Sequence, residues 1–283
     1  MRKYLFALLA MAVASSVIFC ACSSSDDEVI PEEPEEPEEV VTYYKNPVVN
    51  NDAPDPTVVR GKNGKFYAFS TMKDGNVPVY ESDNLANWTF IGNAYTPANV
   101  PRFVKDAGIW APDANYIKNK YVLYFSMSTW GGEWEAGIGR AVADTPEGPF
   151  TDAKLLFNSK QIGVQNSIDP VIYQEDGRKY LIWGSFRGIY LTELTEDGLE
   201  LIDSKNLLKI AGTAYEGTYI HKRKGYYYLF ASVGTCCEGL KSTYQTVVGQ
   251  IYMQVNGTTH EFASVYCKSF LASGQLEADF DQD

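Results

Sequence analysis

Four stretches of the chain share one hydrophobic pattern: Gly64–Thr71 (GKFYAFST), Asn119–Ser128 (NKYVLYFSMS), Gly177–Phe186 (GRKYLIWGSF) and Lys224–Val233 (KGYYYLFASV). Each opens on a turn-forming Gly or Asn close to a basic residue. Each then runs apolar and aromatic for the length of a buried strand. A second strand-like segment precedes each stretch and begins on an acid: Asp55-Pro-Thr-Val-Val, Asp113-Ala-Asn-Tyr-Ile, Asp169-Pro-Val-Ile-Tyr and Glu216-Gly-Thr-Tyr-Ile. The acids are separated by 58, 56 and 47 residues, a period that suits a repeating four-stranded antiparallel blade with its loops. Asn76–Ser82 and Asn87–Phe90 continue the first unit, and Ala136–Ala143 takes the third-strand place in the second. With no long amphipathic helix in the pattern, the expected fold class is all-β, a β-propeller with about four blades recognisable.

In a propeller the first strand of each blade lines the central channel, so acids at equivalent places on successive first strands converge near the axis. Converging carboxyl groups in different protonation states are what glycoside hydrolysis needs. One carboxyl donates a proton to the leaving oxygen. Another, ionised, activates water or attacks directly. A third orients the acid and tunes it by charge repulsion. An isolated Asp-Pro or Glu-Gly is as easily a turn signal; recurrence through the repeats favours a shared chemical task.

Composition changes the picture little. Of the 283 residues 45% are hydrophobic and 14% aromatic, with 20 tyrosines, which is enough for a sizeable core. The net charge of −12 is misleading, because nine of the 36 acidic residues lie between Asp26 and Glu39. From Thr42 onward 27 acidic and 22 basic residues remain, with no basic stripe, so nucleic acid is excluded as an expected partner.

The N-terminus reads as a processing segment. Arg2 and Lys3 precede an apolar run from Tyr4 to Phe19, followed by Cys20-Ala21-Cys22-Ser-Ser-Ser. A small residue before Cys at the end of such a run resembles a bacterial lipoprotein cleavage site, with Cys22 the lipidated residue; an ordinary cleaved signal peptide is the alternative. Residues 22–41, rich in Glu-Glu-Pro, cannot build a core and read as an extended acidic tether. The expected domains are therefore a signal peptide over 1–21, a tether over 22–41, a catalytic propeller over 42–249 and an atypical tail over 250–283. Export to the bacterial outer membrane or cell surface, held there by the lipid, follows. Cys236, Cys237 and Cys267 are odd in number and give no tidy disulfide framework, and the adjacent Cys236 and Cys237 are expected as buried free thiols.

Several ordered segments carry a family resemblance. They are Asp52-Ala-Pro-Asp-Pro-Thr-Val, Gly108-Ile-Trp-Ala-Pro-Asp-Ala-Asn-Tyr, Gly163-Val-Gln-Asn-Ser-Ile-Asp-Pro, Trp183-Gly-Ser-Phe-Arg-Gly-Ile, Tyr215-Glu-Gly-Thr-Tyr-Ile and Gly234-Thr-Cys-Cys-Glu-Gly-Leu-Lys-Ser-Thr-Tyr. Over residues 45–249 the chain resembles glycoside hydrolase family 43, the five-bladed propeller enzymes, and within it the endo-1,5-α-L-arabinanases. The resemblance implies a monomeric inverting hydrolase of arabinan or related hemicellulose and pectin side chains. Asp55 is implied as general base, Glu216 as general acid, and Asp169 as the residue that orients and tunes the acid. Trp110, Asn166, Ser185 and Phe186 are implied to line the sugar cleft, with core packing the competing reading for Trp110, Ser185 and Phe186. Asp113 is read as structural.

No cofactor is required for this chemistry. The family's calcium near the propeller axis comes with a Gly-His segment that is absent here, and His260 does not replace it, so no metal ligand is assigned. After Val248-Gly249 the expected Arg-Ser pair, Gly-Pro-Tyr turn and fifth blade do not follow in the remaining 34 residues. A shifted reading frame near codon 250, or an interrupted gene, is the expected cause. Two alternatives stay open: an exo-acting arabinofuranosidase or β-xylosidase of the same family, and an inactive surface glycan-binding lipoprotein.

Overall fold

The computed structural model describes residues 44–224, 226–237 and 245–251. Within them the strands form four antiparallel sheets strung along the chain in a propeller arrangement, each meandering in sequence order. The first blade is β1 (Thr57–Arg60), β2 (Phe66–Phe69), β3 (Pro78–Ser82) and β4 (Thr89–Asn93). The second is β5 (Gly108–Ile117), β6 (Lys120–Ser128), β7 (Gly137–Ala143) and β8 (Thr151–Asn158). The third is β9 (Val171–Glu175), β10 (Arg178–Trp183), β11 (Ile189–Leu194) and β12 (Leu208–Ala211). In the fourth, β13 (Glu216–Arg223), β14 (Tyr226–Val233) and β15 (Gln245–Ile251) are described. The first strands of the blades neighbour one another in the order β1, β5, β9, β13. The predicted segments 1–41 lie outside the described residues. So does most of the atypical tail, but β15 stays paired with β14 through Gln250 and Ile251, two residues past the expected boundary.

The aromatic stretches are the second strands, and their unbroken hydrophobicity has a simple cause. The two in the middle of the series, β6 and β10, are sandwiched between two neighbouring sheets, so both of their faces are buried. Along β6, Tyr121, Leu123, Phe125 and Met127 pack towards the first blade with Tyr67, Phe69 and Val79. The alternate residues Val122 and Tyr124 pack towards the third blade with Leu181 and Trp183. β10 repeats the device: Leu181 and Trp183 face the second blade, while Tyr180 and Ile182 join Ile220 and Leu229 of the fourth. Burying one such Leu contributes about 1.5–3 kcal/mol, and the three interfaces together form the core.

One of the four repeat acids stands apart from the others. Strand β5 begins at Gly108, and Asp113 lies inside it, out of step with the other acids. The aromatic residues Tyr67, Tyr121 and Tyr180 sit opposite Val59, Tyr116 and Tyr173. Asp55 and Asp169 each lie four residues before that opposite residue, Asp113 only three. Pro112 holds the equivalent place. Side chains alternate along a strand, so a shift of one residue turns Asp113 to the other face.

There Asp113 ties three blades together. Its Oδ1 accepts from the Thr57 hydroxyl at 3.2 Å, and its Oδ2 from Ile172 N–H at 2.7 Å and Asn115 Nδ2 at 2.7 Å. Burial pushes its carboxyl up to about 6, with these donors pulling the other way. Asp113 is thus structural, as expected.

The one α-helix among the described residues is the turn α1 (Ser159–Ile162). Asn158 caps it reciprocally with Gln161, and Gly163 ends it in the left-handed conformation (φ 72°). Ser159 Oγ then accepts from Ser167 N–H at 3.0 Å. The turn therefore fixes the loop that carries Asn166 and Asp169. No helix among the described residues is long and apolar enough to cross a membrane.

Candidate active site

Asp55 and Asp169 stand just before β1 and β9, each followed by a proline that disfavours right-handed helical backbone. Both adopt left-handed backbone, φ 52° and 59°. A short polar side chain tolerates this conformation, though each such residue costs on the order of 1–3 kcal/mol and persists only where its surroundings hold it. Hydroxyls hold these two. Thr71 Oγ1 donates to Asp55 Oδ2 at 2.5 Å and accepts from Ala111 N–H at 2.8 Å, linking the acid to the second blade. Asp169 N–H donates to Ser126 Oγ at 2.8 Å, and Asp169 Oδ2 accepts from Gly217 N–H at 3.2 Å.

Glu216 opens β13 beside a register shift between Glu216 and Tyr219, where three steps on β13 face two on β14. Such a bulge re-aims a side chain at a strand end. Glu216 is buried, and its Oε2 accepts from the Ser185 hydroxyl at 2.5 Å.

The three sequence-predicted acids are thus brought together. Burial pushes the Asp169 carboxyl up to about 8, and the charges of Glu216 and then Asp55 add to it, against the pull of Gly217 N–H. Asp169 thus lies within electrostatic reach of both other carboxyls.

Three of the predicted cleft residues lie beside Glu216: Ser185 touches it, Asn166 reaches it through Ser185, and Phe186 bonds the residue before it. Asn166 (φ 55°) donates from Nδ2 to both the carbonyl and the hydroxyl of Ser185, each at 3.0 Å. Phe186 (φ 49°) donates its N–H to the carbonyl of Tyr215, the residue before Glu216, at 3.0 Å. The turn that carries Ser185 and Phe186 requires a glycine at 184. There φ is 130°, and a Cβ would meet the Gly188 carbonyl oxygen at 2.1 Å. Trp110 on β5 is half-buried and packs against the indole of Trp130, centroids 5.5 Å apart. Trp110 belongs to none of the three core clusters.

Sequence reasoning missed Thr71, Ser126, Trp130, Glu133 and Arg187. A signal existed for the first two. The repeated aromatic strands end in hydroxyl residues, Ser70-Thr71, Ser126, Ser185 and Ser232, and three of these hydroxyls grip the acids or their backbone. Trp130 stands 78% exposed on the loop between β6 and β7, where no periodicity announces it.

Cys236 is half-buried, but Cys237 is exposed, contrary to expectation; it sits at a left-handed turn (φ 67°) after β14. The Cys236 thiol is pushed up to about 12 by burial, with Cys237 and the Glu216 charge adding to it. His221 is exposed on β13; Cys22, His260 and Cys267 lie outside the described residues. Among the described residues no three His, Cys, Asp or Glu side chains are grouped to hold a metal ion.

The Asp169 environment has a consequence for stability. Its folded pKa, about 8, lies above the ordinary aspartate value of 3.8. The stability it contributes is therefore fully present below pH 3.8 and lost as pH rises through about 8. Asp169→Asn should remove that loss. In urea unfolding the variant should match wild type near pH 4 and exceed it near pH 8 by about 1–3 kcal/mol, a range discounted for solvent screening.

Comparison with known proteins agrees with this geometry. The sequence profile described as Glycosyl hydrolases family 43 matches residues 44–259. The extracellular endo-α-(1→5)-L-arabinanase 1 of Bacillus subtilis is 33% identical over 69% of this chain. The extracellular exo-α-(1→5)-L-arabinofuranosidase ArbA of Cellvibrio japonicus is 31% identical over 70%. This chain spans 64% of the length of each of those proteins. The α-L-arabinanase of Cellvibrio cellulosa, solved in complex with arabinohexaose, superposes with a TM-score of 0.64 at 31% identity, covering 73% of this chain and 72% of that one. By sequence profile, relatives and fold, this chain belongs to glycoside hydrolase family 43.

Proposed function

We propose that this protein hydrolyses α-1,5-linked L-arabinan by a single inverting displacement, as part of plant polysaccharide degradation. The observation that carries the reading is the set of three carboxyls at the starts of β1, β9 and β13, with Asp169 in electrostatic reach of the other two and each in a different environment. Asp55, with Thr71 on one oxygen, is the general base that takes a proton from water as the water attacks the anomeric carbon. Glu216, held by Ser185, is the general acid that protonates the departing glycosidic oxygen. As the carbon–oxygen bond breaks, one proton is delivered and one is collected. The site resets by exchange with solvent. Asp169, hydrogen-bonded to the backbone beside Glu216 and favouring its protonated form at neutral pH, keeps a proton at hand and orients the acid.

Trp110 and the exposed Trp130 offer aromatic faces on which furanose rings can stack. Asn166, Ser185 and Phe186 form the wall around the scissile bond. Chemistry is assigned to side chains, without a cofactor.

Exo-action is a second reading, favoured by the exo-acting relative in Cellvibrio japonicus at nearly the identity of the endo-acting one. Sizing the products from linear α-1,5-arabinan separates the two. A ladder of oligosaccharides is the expected result, and arabinose alone from the earliest times would establish exo-action. Glu216→Gln should lower kcat by about 10²–10⁴-fold. Binding of arabinan by a parent protein that never cleaves it would instead favour the glycan-binding reading.

Export is part of the proposal, supported by the extracellular relatives and by the charged and apolar leader before Cys22. Anchoring through a lipid on Cys22 should show as incorporation of labelled palmitate that Cys22→Ser abolishes; incorporation unchanged in that variant would sink it. The protein is expected to act as a monomer.

A further inference from the structure

Ser185 delivers its hydroxyl hydrogen to Glu216 because Asn166 Nδ2, 3.0 Å away, already occupies the lone-pair side of Ser185 Oγ. The aim of that hydrogen therefore depends on two arms of chain keeping their separation: Gln165–Asn166 before β9, and Ser185–Arg187 after β10. One side chain spans both. Glu133, on the loop between β6 and β7, accepts from Gln165 Nε2 at 2.6 Å on Oε2 and from Arg187 NH2 at 2.8 Å on Oε1. Its carbonyl accepts from Asn166 N–H at 2.9 Å. Arg187 in turn donates from NH1 to the Phe186 carbonyl at 2.9 Å. A carboxylate gripping one donor on each arm is 28% exposed, and its loop also carries Trp130.

We infer that Glu133 is a positioning residue for the general acid, acting through Asn166 and Ser185 to hold Glu216 at the leaving oxygen. This rests on the arabinanase reading of the site. An ordinary surface ion pair stabilises little and governs no chemistry. Glu133 differs in that its two partners flank the hydrogen bond that aims Ser185. A displacement of about 1 Å at a catalytic group can cost about 10²-fold in rate, so slack between the arms is felt first in proton donation.

The test compares two substrates on the full chain. Arabinopentaose has a sugar alkoxide leaving group and needs the acid. A 2,4-dinitrophenyl α-1,5-arabinobioside has a leaving group that departs without a proton. For Glu133→Ala the expected result is a fall in kcat on arabinopentaose of about 10–100-fold. KM should stay within about threefold of wild type, and kcat on the dinitrophenyl substrate within about threefold. Glu133→Gln retains one acceptor and should recover part of the loss, with an unchanged melting temperature. That variant carries the test if the alanine variant does not fold.

Equal losses on the two substrates, a rise in KM with kcat intact, or unchanged kcat on arabinopentaose would each overturn the positioning role alone. Wild-type protein that cleaves neither substrate would overturn the arabinanase reading, and this role with it.

Discussion

Everything in this structure depends on the packing of one sheet against the next through second strands buried on both faces. Phe125 and Leu123 reach one way from β6, Tyr124 and Val122 the other. Trp183 and Ile182 do the same from β10. This alternation sets where each neighbouring first strand lies, and the acids sit at the ends of those strands. The chemistry is therefore an outcome of distances fixed by apolar side chains that never touch substrate. Asp113 reinforces the same constraint with polar bonds, joining Thr57, Asn115 and Ile172 across three blades.

The second layer is a set of hydroxyls at the ends of those second strands. Thr71 grips Asp55 within its own blade, whereas Ser126 and Ser185 reach across to Asp169 and Glu216 of the next. Each contact holds a carboxyl or its backbone where solvent alone would leave it free. The left-handed backbone of Asp55, Asp169, Asn166 and Phe186 is strain held in place by this packing. Burial of Asp169 beside two other carboxyls is a second destabilising arrangement at the same place. Stability lost at a site that gains reactivity is the usual exchange in enzymes.

Much of this was legible in the sequence. The repeat of aromatic second strands follows from their burial against neighbouring sheets, on both faces in β6 and β10, and its period implies a propeller. The three acids were legible because turn-forming Asp-Pro and Glu-Gly recur before first strands. Asp113 shows the limit of that reading. The repeat spacing admits it, but a one-residue shift, absorbed at the irregularity between Trp110 and Asp113, turns it from the site into the framework. Trp130, Glu133 and Arg187 were out of reach because they belong to loops without periodicity, and their partners are 20 to 54 residues away in sequence. The exposure of Cys237 was equally hidden, since it depends on the local backbone at a turn.

The central claim is that blade packing converts three carboxyls, distant in sequence, into one interacting set in which Asp169 holds its proton to unusually high pH. The direct measurement is a pH titration of carboxyl ¹³C shifts in protein labelled at aspartate. The account predicts one resonance titrating near 8. It should be absent in Asp169→Asn and move to lower pH in both Glu216→Gln and Asp55→Asn. An Asp169 carboxyl that titrates in the ordinary aspartate range, indifferent to its two neighbours, would contradict it.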